Sequence, residues 1–65
     1  MKTRFIIVTN FFDSAPMILS VGGIGGIYLE GGYTILKHSS HNNGGYRVKE
    51  TPEEILKLIS EAKEI

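Results

Sequence analysis

The sequence predicts a small α+β fold, an antiparallel β-meander of four to five strands with one C-terminal α-helix packed on one face. Three observations carry that expectation. Short β-branched and aromatic runs fill residues 5 to 49, glycine pairs and turn residues separate them, and a capped amphipathic segment, TPEEILKLISEAKEI, follows.

The first strand is centred on Phe5-Ile6-Ile7-Val8. By parity Phe5, Ile7, Thr9 and Phe11 share one face, while Ile6, Val8 and Phe12 share the other. Both faces are apolar, which predicts cover on both sides. One short helix covers only one side of a sheet, so the other side calls for a second subunit.

Asp13-Ser14-Ala15-Pro16 supplies turn chemistry, with Pro16 at the start of a second strand that runs from Met17 to Val21. Gly31-Gly32, between Ile27-Tyr28-Leu29-Glu30 and Tyr33-Thr34-Ile35-Leu36-Lys37, reads as a hairpin turn, since two glycines tolerate the positive φ values of a primed turn. A loop from His38 to Gly45 leads to a last strand, Tyr46-Arg47-Val48-Lys49. In the helix, expected over about 52 to 64, Thr51 is the N-cap, Pro52 the first helical residue and Glu54 the return partner of a capping box. Ile55, Leu58, Ile59 and Ala62 fall on one stripe, and Lys63 stands near the negative helix end.

The bulk numbers narrow function by exclusion. Sixty-five residues make a single domain, 1–65, too small to bury a large core, so oligomerisation is the expected source of extra stability. With no cysteine, disulfides and thiolate zinc sites are ruled out. Seven basic residues balance seven acidic ones, which argues against a domain that wraps nucleic acid. No apolar run approaches the length of a membrane span or of a signal-peptide core, and the expected location is the cytoplasm.

Residues 44 to 59, GGYRVKETPEEILKLI, resemble the ending of FlbD-like proteins: a Y-x-V-K-E strand, then S/T-P-E-E-I and a short amphipathic helix. FIIVT (5 to 9) and PMILSVGGI (16 to 24) resemble the first two strands of that family. Its members are short chains, among them a flagellar protein and many small bacterial and phage-borne proteins. The ending is more loosely similar to that of LytTR-type DNA-binding domains. The resemblance implies the meander-plus-helix fold and carries no catalytic motif. Val21-Gly22-Gly23 stands where the family often has a polar Asn-x-Asp-type stretch.

The glycine-rich run VGGIGGIYLEGGY, residues 21 to 33, is the first candidate for chemistry. A dinucleotide fingerprint needs G-x-G-x-x-G before a helix; counting from Gly23, the sixth position is Tyr28, and a strand follows. A P-loop lysine is also missing. Gly22, Gly23, Gly25 and Gly26 therefore read as a bulge or corner, with a backbone N–H nest for an anion as the functional alternative. His38 and His41, three apart in a loop, lack a third metal ligand within one chain, which leaves a site shared between subunits as the metal alternative, and both stand among the ligand-binding candidates. Tyr33, Lys37, Tyr46, Arg47 and Lys49 can set aromatic faces beside cations, which suits a base and a phosphate, with ordinary surface pairing on a half-exposed sheet as the alternative. Arg47, with its planar fork, is the leading anion contact.

No serine lies in a nucleophile motif, and a chain this short lacks a deep pocket within one subunit, so no enzymatic activity and no cofactor are expected. The expectation is a non-catalytic homo-oligomeric binding protein. In a phage setting it would sequester a small anionic or nucleotide signal at inter-subunit pockets. The alternative is an FlbD- or LytTR-like regulatory module that contacts a protein or DNA.

Overall fold

The computed structural model describes residues 3–41 and 45–62. It is a small α+β fold: β1 (Phe5–Thr9), β2 (Pro16–Ser20), β3 (Ile24–Glu30), β4 (Tyr33–His38), β5 (Tyr46–Val48) and α1 (Pro52–Glu61), with a 3₁₀ turn over Val21–Gly23. The strands form two antiparallel sheets, β1-β2 and β3-β4-β5.

β1 and β2 pair from Phe5↔Ser20 to Thr9↔Pro16. Ile6, Val8 and Leu19 turn inward and are buried. The β1–β2 turn is built by side chains. Asn10 Oδ1 accepts the Phe12 N–H at 2.8 Å, and Asp13 Oδ1 accepts the Ala15 N–H at 3.0 Å. These bonds end β1 at Thr9, so Phe11 and Phe12 lie in the turn rather than on the two strand faces that parity gives them. Ser14 completes the turn at φ 58°, a left-handed conformation.

The two sheets are stitched where β1 meets β5. Asn10 bridges Val48, the Phe11 N–H donates to Arg47 O at 2.9 Å, and the Lys49 N–H donates to Thr9 O at 3.0 Å. Glu50 then closes the corner. Its two carboxylate oxygens accept the Thr9 N–H and the Thr9 hydroxyl, each at 2.8 Å.

The glycine run divides in two. Gly31 and Gly32, at φ 60° and 83°, form the primed turn between β3 and β4, as expected from the pair. Gly22 and Gly23 lie in the 3₁₀ turn, and Gly25 and Gly26 lie inside β3, where the register against β4 shifts between Ile24 and Gly26. β3 thus begins at Ile24, three residues before the apolar run that marks it in the sequence, because pairing continues across the bulge: Ile24 pairs with His38 and Gly26 with Lys37, while Gly25 is the extra residue.

α1 has the expected capping box. The Thr51 side chain accepts the Glu54 N–H at 3.1 Å, and Glu54 Oε1 accepts the Thr51 N–H at 2.9 Å. The helix lies across β1 and β3. Ile55 is fully buried among Ile6, Val8, Leu19, Leu36 and Val48, while Leu58, Ile59 and Ala62 pack against that cluster. The described helix ends at Glu61 with Ala62 as its cap, and the expected continuation to 64, with Lys63, lies outside the described residues. No basic residue of α1 serves its last turn. Arg4 does so from the chain just before β1, donating to Ile59 O and, at 3.3 Å, to Ala62 O.

Cover on both faces of β1 is not supplied within one chain. Ile7 and Ile18 on the outer face stay 58% and 67% exposed. Among the described residues, no helix is long and apolar enough to cross a membrane.

Candidate functional site

The best-formed constellation surrounds Arg47. In β5 Arg47 pairs with Ile35 of β4, and Thr34 pairs with Val48. Tyr33 is therefore a diagonal neighbour of Arg47 on the outer face of this sheet. The guanidinium carbon lies 4.5 Å from the Tyr33 ring centroid, 5.4 Å from Phe12 and 6.0 Å from Phe11. The rings support one another edge-to-face, with Phe11 4.8 Å from Tyr33 and 5.6 Å from Phe12. Among the described residues no carboxylate pairs with Arg47, so its planar N–H fork is held by ring faces and left available to an anion.

An open cleft of about 410 Å³ lies beside the guanidinium, with Asn10, Phe12, Ile35, His41 and Tyr46 on its walls. Its walls carry a cation, an imidazole and aromatic surface, while the Asn10 amide is already engaged with the Phe12 N–H and Met17 Sδ. Gly45 also lines it. A Cβ on Gly45 would stand 2.9 Å from Ile35 Cγ2 and 3.0 Å from Leu36 O, so this glycine is fixed by close packing against β4.

Tyr46 faces the core side of β5, opposite Leu36, and its ring meets His41 edge-on at 4.7 Å. His38 behaves differently from its place in the sequence. It is the last residue of β4 rather than a loop residue, and it is only 8% exposed. Nε2 lies 2.9 Å from Ser20 O, which can only accept, and the Ser40 N–H, which can only donate, lies 3.1 Å from Nδ1. This network assigns the Nε2–H tautomer. The Ser40 hydroxyl, 2.8 Å from Nδ1, then donates to it and accepts from the Tyr46 hydroxyl at 2.9 Å. Both ring nitrogens of His38 are thus committed to holding β2, β4 and the 39–41 segment together, which removes His38 from ligand contact.

The structure therefore brings Arg47 and Tyr33 together, and places His41 and Tyr46 in the same cleft. It does not bring in the other candidates. Lys37 is exposed on the outer face of β4, opposite Gly26, and does not line the cleft. Gly22, Gly23, Gly25 and Gly26 do not line it either. A Cβ on Gly23 would meet the His38 ring and Ser39 Oγ at 2.7 Å, so that glycine makes room for the buried imidazole. Sequence reasoning missed Asn10, Phe12, Ile35 and Gly45. The one available signal was Asn10-Phe11-Phe12-Asp13, an aromatic pair between two turn-forming side chains, which argues for exposed rings in a turn.

No family model, no curated protein and no solved structure matches this chain. The site therefore rests on its own chemistry. Among the described residues no group of three His, Asp or Glu side chains is placed to hold a metal ion.

Proposed function

We propose that the chain is a non-catalytic, homo-oligomeric binding protein of the cytoplasm that takes a small anionic ligand, a nucleotide being the best fit, at the Arg47 cleft. The observation that carries this reading is the Arg47 guanidinium, stacked on Tyr33 and flanked by Phe12 without a carboxylate partner among the described residues. A planar base has the exposed ring of Phe12 to stack on, at 75% exposure, and a phosphate has the guanidinium fork. The cleft is open and shallow, so the reading includes a second subunit that closes over the ligand. The absence of a nucleophile motif in the sequence favours capture over turnover. For a phage-type protein, such capture would sequester a nucleotide signal.

Native mass measurement on protein taken from cells tests this directly, since it reads subunit number and bound ligand together. The proposal expects an oligomer carrying a phosphate-containing small molecule. A ligand-free preparation that shows no thermal shift with cyclic or linear nucleotides at high micromolar concentration would remove the ligand part of the reading.

The second reading is an FlbD-like regulatory module, with LytTR-type DNA contact as its variant. It is favoured by Tyr46-Arg47-Val48-Lys49-Glu50 followed by the Thr51-Pro52 cap and helix. Under that reading DNA retention falls steeply with salt, as phosphate contacts require. The zero net charge of the chain speaks against the DNA variant.

A further inference from the structure

The chain has no net charge, yet the fold sorts its charges by side. α1 packs on the core side of the strands through Ile55 and brings Glu53, Glu54 and Glu61 there, with Glu50 at the corner before it. The outer face of β3-β4-β5 carries cations instead. Arg47 stands opposite Ile35, and Ile35 opposite Tyr28, so these three share that face. Lys37, two positions along β4 from Ile35, is exposed on it. Lys49, just past β5, lines a recess with Phe11 and Tyr33, two of the rings around Arg47.

These cations lie in a row. β4 runs antiparallel to β5, so Lys37 falls on one side of Arg47 and Lys49 on the other. Each step along the row is about 7 Å at the backbone. Among the described residues none of the three has a carboxylate partner, and Lys49 Nζ donates to the neutral Ser14 hydroxyl. Rings accompany the row: Phe12 is 75% exposed, Tyr28 39% and Tyr33 38%. Gly26, opposite Lys37, adds no side chain beside it.

We propose that this face binds single-stranded nucleic acid along the track Lys37–Arg47–Lys49. The inference rests on the reading of Arg47 as an anion contact and extends it from one phosphate to a run of phosphates. A line of cations tracks the backbone of a strand, and aromatic rings beside it stack on successive bases. Lys37 and Lys49 stand outside the walls of the Arg47 cleft, so the strand continues past a subunit that closes over Arg47.

The same pattern separates this partner from other polyanions. A duplex keeps its base faces in the stack, where Phe12 and Tyr28 cannot reach them. An acidic peptide offers charge without rings to stack. A lipid surface is broad and would also meet Glu30, opposite Tyr33, and Asp13, in the turn beside Ser14. A thin strand passes between these two carboxylates.

The test is fluorescence anisotropy of the full chain with labelled single-stranded DNA and RNA of about eight nucleotides, beside calorimetry with a nucleoside monophosphate. The single strand is expected to bind about tenfold or more tightly than the monophosphate and than a duplex of the same sequence. Three phosphate contacts give log K against log salt a slope of about −2. Lys37→Ala and Lys49→Ala, at exposed positions, are each expected to make that slope shallower by about 0.7 and to weaken strand binding severalfold. Tyr28→Leu keeps an apolar side chain opposite Ile35 and is expected to weaken strand binding about tenfold through the lost stack. Glu30→Lys is expected to strengthen it. A strand bound no more tightly than the monophosphate would overturn the track and leave the Arg47 cleft standing, as would lysine variants of unaltered slope. A strand that binds while the monophosphate does not would remove the small-ligand reading and keep the track, and absence of both would remove both. Duplex binding as tight as that of the single strand, or tighter binding to phosphatidylserine vesicles, would overturn the choice of partner.

Discussion

Gly23 approaches the His38 ring so closely that a Cβ added to it would stand 2.7 Å from both Cε1 and Nε2. The 3₁₀ turn after β2 therefore has a packing reason for a glycine at that position, and the reason is the buried imidazole. At Gly22, in the same turn, an added Cβ would have nothing within 4 Å.

Alanine at these neighbours should separate the two roles. Gly23→Ala must push the His38 ring off Ser20 O or distort the turn, at a cost of about 1–3 kcal/mol. Gly22→Ala should stay within about 0.5 kcal/mol of wild type. Urea unfolding of both variants checks this, and equal costs would deny His38 its place in the core.

Glu50 and Thr9 make the second local test. Both carboxylate oxygens are used, on a backbone N–H and on a hydroxyl, at the point where the two sheets meet. Glu50→Ala should lower stability by about 1.5–3 kcal/mol, the range for hydrogen bonds to a charged group. Glu50→Gln keeps an acceptor for the Thr9 N–H and should cost about half as much. The comparison is made by chemical denaturation at neutral pH.

Arg4 concerns the far end of the helix. Its guanidinium donates to the carbonyls of Ile59, which also accepts the Ala62 N–H at 3.2 Å, and of Ala62. Arg4→Met should cost about 1–2 kcal/mol through the lost cap and dipole interaction. Hydrogen exchange should show the effect as faster exchange in the last turn of α1, with the Thr51 end unchanged.

Where local rules act alone, the sequence and the structure agree. Thr51-Pro52-Glu53-Glu54 fixes the helix start because the cap is made by residues three apart. Gly31-Gly32 fixes the hairpin because two positive φ values in a row have few other solutions. The candidate site was legible only in part. Tyr33 and Arg47 can be set on strands from the sequence, but their contact depends on the β4–β5 register, which the loop length leaves undetermined. Apolar alternation sets Phe12 on a strand face, whereas the Asn10 side chain terminates β1 before it. His38 reads as a loop residue because its partners, Ser20 and Gly23, lie fifteen or more positions away in sequence. Non-local packing decides each of these cases.

The central claim is that Arg47 holds an anionic ligand, and calorimetric titration of nucleotides into the wild-type chain and Arg47→Ala tests it most directly. The stacked guanidinium contributes only about 0.5–1 kcal/mol to stability at an open site, so the variant should remain folded. Saturable binding to the wild-type chain is expected, with an affinity about tenfold to hundredfold lower in the variant, as loss of a charge-assisted hydrogen bond implies. Absence of binding to the wild-type chain, or equal affinity in Arg47→Ala, would contradict it.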